Sequence, residues 1–104
     1  MSELTLGGYM ALHGRAAAFG GSDGQAYSVG IVPDEEPDER GLFGAGLLFV
    51  RWSPAGTEPV GHVEAPGLAR GRTPEEAVER LKLLSLFDVK AALDQAVAAQ
   101  PPEW

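Results

Sequence analysis

Gly71-Arg72-Thr73-Pro74-Glu75-Glu76-Ala77 is the stretch on which the fold of this chain turns. Thr73 offers a hydroxyl that can cap a helix, Pro74 suits the first helical position because no N–H is needed there, and Glu76 completes a T-x-x-E capping box. Upstream of it the apolar residues alternate as strands do; downstream they recur at helical spacing. The expected class is therefore α+β. A four-stranded, mainly antiparallel sheet should be followed by one broken C-terminal helix, or two helices, packed on one face.

Working downstream, Ala77, Leu81 and Leu84, with Val78 beside them, give one buried helical stripe. Ser85-Leu86-Phe87-Asp88 repeats the cap pattern, so a break there would begin a second helix with Val89, Ala92, Leu93, Ala96 and Val97 inward. Pro101-Pro102 should end it and leave Trp104 on a short tail over 100–104.

Working upstream, Val60 to Ala65 reads as a short strand, paired as a hairpin through the turn residues Ser53 to Pro59 with Leu42 to Trp52. Gln25 to Val32 places Tyr27, Val29 and Ile31 on one face. Tyr9 to Phe19, ahead of the glycine cluster 20–24, reads as strand, turn, strand. Between Pro33 and Gly41 stand five carboxylates and two prolines, which predicts an exposed, mobile loop. The core should contain Tyr27, Val29, Ile31, Val63, Leu81, Leu84, Leu93 and Val97.

The third strand is apolar on both faces, Leu47 and Phe49 on one and Leu48, Val50 and Trp52 on the other. A helical layer covers one side of a sheet, so one of these sets is expected to meet a second chain. Self-association or a protein partner follows as the leading functional expectation.

The 104 residues fit a single domain, 1–104. With 15 acidic and 8 basic residues, the net charge of -7 repels phosphate backbones. Direct nucleic-acid binding is not expected, and Arg70, Arg72 and Arg80 are better explained as solvated or paired with glutamates. The absence of cysteine excludes disulfides, thiol catalysis and thiolate metal sites. The opening residues do not form a secretory signal and no apolar run is long enough to cross a bilayer, so a cytoplasmic location is expected.

Candidate chemistry is sparse. His62 and Glu64, two apart on a strand, share a face, and His13, on another predicted strand, would approach them across the sheet. Two imidazoles and a carboxylate would suit a metal ion or acid–base catalysis, and make the alternative reading a small enzyme. Tyr9, Tyr27, Phe49 and Trp52 would suit an aromatic ligand pocket, a third reading. The acidic loop lacks the ordered ligand spacing of a calcium site. Glycines 41, 44 and 46 lead into a strand rather than a helix, so they signal a twist, a bulge or a close backbone approach, not a phosphate loop. The serines 22, 28, 53 and 85 lack a nucleophile-elbow setting. No catalytic set and no cofactor is expected.

Pro66-Gly67-Leu68-Ala69-Arg70-Gly71-Arg72-Thr73-Pro74-Glu75-Glu76-Ala77 resembles the junction in HicB-type antitoxin domains, where a strand passes through a P-G segment to G-x-T-x-E-E-A and a helix. The resemblance covers about a dozen residues, and the spacing from Pro66-Gly67 to Gly71 is slightly shorter than in that family. It implies a small α+β domain that binds a protein partner and has no catalytic residues. With no DNA-binding module after the helix, it does not extend to transcriptional autoregulation.

Overall fold

The computed structural model describes residues 5–14 and 16–100. Helix α1 (Leu6–His13) leads into strands β1 (Ala18–Gly20), β2 (Ala26–Pro33), β3 (Phe43–Trp52) and β4 (Pro59–Gly71), followed by helices α2 (Pro74–Leu81) and α3 (Leu86–Ala98). The strands form one antiparallel sheet in the order β1-β2-β3-β4. This is the α+β arrangement expected from the sequence.

The junction behaves as its residues dictate. Thr73 accepts from the Glu76 N–H at 3.1 Å, and Glu76 reaches back to accept from the Arg72 N–H at 3.0 Å, one residue beyond the usual capping-box partner. Ser85 caps α3 in the same way, accepting from the Asp88 N–H at 3.0 Å. The C-terminal segment is thus two helices, each with its own cap.

Register places the core on one face of the sheet. Val29 stands opposite Phe49 and Phe49 opposite Val63, while Ile31 faces Leu47. Directly opposed residues share a face, so these side chains form one apolar layer. Onto it come Ala77 and Leu81 of α2 and Val89 and Leu93 of α3, all buried. Of the expected core residues, Tyr27, Val29, Val63, Leu81 and Leu93 are buried, and Ile31, Leu84 and Val97 pack partly buried against them.

Two irregularities interrupt the β3–β4 ladder. Ala45 pairs with Ala69 but Leu47 with Ala65, so Pro66, Gly67 and Leu68 bulge out opposite Gly46. Gly67 takes a φ of 67°, which favours glycine, and a Cβ on Gly46 would stand 2.6 Å from the Ala65 carbonyl oxygen. The glycines entering the third strand therefore mark a bulge with close backbone approach. A second shift, between Arg51 and Trp52, leaves Val60 as an extra residue.

The start of the chain differs from expectation. Residues from Tyr9 onward do not form strand, turn, strand: His13 ends a helix, and the first strand is only three residues, Ala18–Gly20. Thr5 caps α1, accepting from the Gly8 N–H at 3.0 Å. The free N–H groups of Leu6 and Gly7 donate to the carbonyls of Leu84 and Lys82, each at 2.9 Å, in the link between α2 and α3. A Cβ at Gly7 would lie 2.8 Å from Lys82 Cβ, so the glycine that weakens the helix locally is what allows it to dock. β4 also outruns its predicted end at Ala65 and continues to Gly71.

The acidic segment 33–41 is exposed along its whole length; Pro33, expected in the loop, ends β2 opposite Ala45, and residues 34–41 join β2 to β3. Asp38 organises its end, accepting from the N–H groups of Arg40 and Leu42 at 2.9 and 3.0 Å. These bonds hold its carboxyl below the usual carboxylate range. Trp104 and the rest of 101–104 lie outside the described residues.

Candidate functional site

The helices α2 and α3 take up one face of the sheet, and among the described residues no helix covers the other. On β3, Leu47 and Phe49 point into the core, 2% and 0% exposed. They are therefore not contact residues for a second chain, because the helical layer already covers them. Leu48, Val50 and Trp52 point the other way and are half-buried. Of the two sets read from the sequence, the second is the one left uncovered.

Ladder pairing assembles the surroundings of that face. Leu48 stands opposite Gly30 on β2 and Glu64 on β4, and Val50 opposite Ser28 and His62. Trp52 donates its indole N–H to Ser28 Oγ at 3.0 Å, which fixes the ring across β2. A shallow open depression of about 410 Å³ lies here, lined by Leu48, Val50, Pro59, Gly61, His62 and Glu64. Val32 and Val60 are 43% and 48% exposed. The surface is apolar along β3 and polar along β4, which is the composition of a contact patch with a rim.

His62 and Glu64 share this face, as their spacing predicts. His13 does not join them. It sits in the last turn of α1, its ring 4.3 Å from that of Tyr9, and α1 docks on the helical side through Leu6. Among the described residues no three potential metal ligands gather. The expected grouping failed because it required a strand where the chain forms a helix.

The aromatic set is divided likewise. Tyr27 and Phe49 are sealed in the core, and Trp52 lies on the opposite face of the sheet, so with Tyr9 they do not line one pocket. Tyr27 instead belongs to a polar cluster that the sequence did not suggest. Its hydroxyl donates to Asp23 Oδ2 at 2.8 Å, Arg51 Nε donates to the same oxygen at 3.3 Å, and the Gln25 N–H donates to Oδ1 at 3.1 Å. Burial and the hydrogen bond to Asp23 push the Tyr27 hydroxyl up to about 12. Burial also disfavours the Asp23 charge, but the Tyr27 hydroxyl, the Gln25 N–H and the Arg51 guanidinium outweigh it and lower its pKa. The cluster ties the β1–β2 turn to β3 and is structural in character. Its one legible signal was Asp23 in a glycine-rich turn.

Two further apolar side chains escaped the sequence reading. Leu83 and Phe87, at the link between α2 and α3, are 74% and 82% exposed. Phe87 falls off the stripe of Val89, Ala92, Leu93, Ala96 and Val97, so its exposure was implicit in the spacing.

Comparison with protein-family models, with curated proteins and with solved structures finds no match to this chain. Among the described residues no helix is long and apolar enough to cross a membrane.

Proposed function

We propose that this chain is a non-enzymatic interaction module that associates through its sheet, with a second copy of itself as the partner. The observation that carries the reading is the one-sided layering: helices on one face, and on the other the half-buried Leu48, Val50 and Trp52, over which no helix lies among the described residues. The outer apolar surface of such a strand is buried only when another chain supplies the missing layer. The junction's resemblance to HicB-type domains, which implies a protein partner and no catalytic residues, points the same way.

An acid–base or metal-dependent activity through His13, His62 and Glu64 has no support in the geometry, since among the described residues no three potential metal ligands gather. Light scattering coupled to size exclusion at micromolar concentration tests the main reading. A mass above that of one 10.9 kDa chain is expected. A strict monomer at every accessible concentration would overturn it.

A further inference from the structure

The free edge of β4 specifies how two copies meet. β4 pairs only with β3, and among the described residues its other edge carries no backbone partner. Such an edge is a template for another strand unless it is guarded by prolines, bulges or charges. Here the guards sit at the ends. Pro59 and the extra residue Val60 close one end, and the Pro66-Gly67-Leu68 bulge closes the other. Between them Gly61, His62, Val63, Glu64 and Ala65 form an unbroken regular ladder with β3. At the Glu64–Ala65 end of this segment, next to the Pro66 and Leu68 bulge, α3 presents Ala92, Gln95 and Ala96 across an open groove of about 270 Å³.

We infer that two copies join antiparallel through this segment, about a two-fold axis at Val63, into one continuous eight-stranded sheet. The inference rests on the reading of the chain as self-associating. Two independent observations select the register. Val63 is the midpoint of the regular segment, so a two-fold axis there pairs Gly61 with Ala65 and leaves every irregular residue outside. The same axis sets His62 opposite Glu64 of the second copy, twice, on the uncovered face. An imidazole N–H meets a carboxylate in each pair, the favourable cross-strand combination.

The neighbouring registers that keep both helical layers on the same side fail on chemistry. An axis at His62 opposes the two imidazoles, and an axis at Glu64 opposes the two carboxylates, which repel. Only the Val63 axis makes the edge complementary to itself. The paired sheet also merges the two uncovered faces, bringing Leu48 and Val50 of each copy onto one surface.

The absence of native cysteine makes the register directly readable, because any introduced thiol is unique. His62→Cys and Glu64→Cys are prepared separately, mixed in equal amounts and mildly oxidised. Directly opposed Cβ atoms lie about 4.5–5.5 Å apart, close to disulfide reach, whereas diagonal ones lie about 7–8 Å apart. Covalent dimer should therefore form in the mixture and far less in either variant alone. Each mixed pair also keeps one native His62–Glu64 contact. Dominant cross-linking of His62→Cys alone, or of Glu64→Cys alone, would assign the axis to that residue and overturn the inference. No cross-link in any sample, with light scattering still reporting an oligomer, would overturn edge pairing while leaving self-association standing. A monomeric native chain would overturn both.

Discussion

Replacing Tyr27 with phenylalanine isolates one hydrogen bond without disturbing the core. The ring is 0% exposed and its packing is unchanged, so the loss is confined to the hydroxyl that donates to Asp23 at 2.8 Å. A hydrogen bond to a charged group contributes about 1.5–3 kcal/mol. Asp23 keeps its bonds from Arg51 and Gln25 and is partly solvated, with 22% of its side chain exposed, which argues for the low end. We take about 1.5 kcal/mol. At about 2.1 cal/mol/K per residue, a chain of this length unfolds with an entropy near 0.22 kcal/mol/K, so the midpoint should fall by about 7 °C.

Thermal and urea melts followed by circular dichroism would measure it, with Asp23→Asn and the double variant completing a cycle. The pH dependence gives a second handle. The folded Tyr27 pKa is raised to about 12 from 10.0, so its contribution is complete below pH 10 and disappears as pH climbs from 10 to 12, where the unfolded tyrosine ionises first. Asp23 is shifted the other way. Its contribution is present above 3.8 and is lost as pH falls through the lower folded value. Tyr27→Phe should flatten both ends of the profile. A destabilisation under about 0.5 kcal/mol, the usual range for a neutral surface change, or strict additivity with Asp23→Asn, would refute the assignment.

Gly71→Ala should destabilise the strand-to-helix junction by about 1–3 kcal/mol, because the new Cβ would stand 2.6 Å from the Ala77 nitrogen and 2.9 Å from the Glu76 carbonyl carbon, both backbone atoms with little room to yield. Chemical denaturation measures this directly. Thr73→Ala should cost about 1 kcal/mol and Thr73→Ser much less, since a serine hydroxyl can still accept from Glu76; equal losses would show that capping is not the cause. Gly7→Ala should release α1 while leaving the sheet intact, seen as faster amide exchange at Leu6 and Gly7 with β3 amides unaffected.

The elements that were legible in the sequence are those whose local signals suffice. Thr73 and Ser85 announce their helices with caps, and Tyr27, Val29 and Ile31 announce a half-buried strand by alternation. α1 was hidden because its signals are tertiary. Two glycines argue against a helix at Leu6–His13, and the docking bonds that favour it involve residues more than seventy positions away. Misreading that segment also misplaced His13 and created a three-residue site that the fold does not form. For β3 the sequence showed two apolar faces but not which one the helices cover. That depends on which of the two faces α2 and α3 pack against, and the ladder with β2 and β4 then fixes every neighbour.

The docking of α1 has a consequence for the order in which the chain can fold. The N–H groups of Leu6 and Gly7 donate to carbonyls of Leu84 and Lys82, more than seventy residues later, so α1 must wait for the link between α2 and α3 to emerge. Until then a glycine-bearing segment of this length has little reason to stay helical. The nascent chain should therefore assemble its hairpins first, and α1 should close onto the finished domain as its final step.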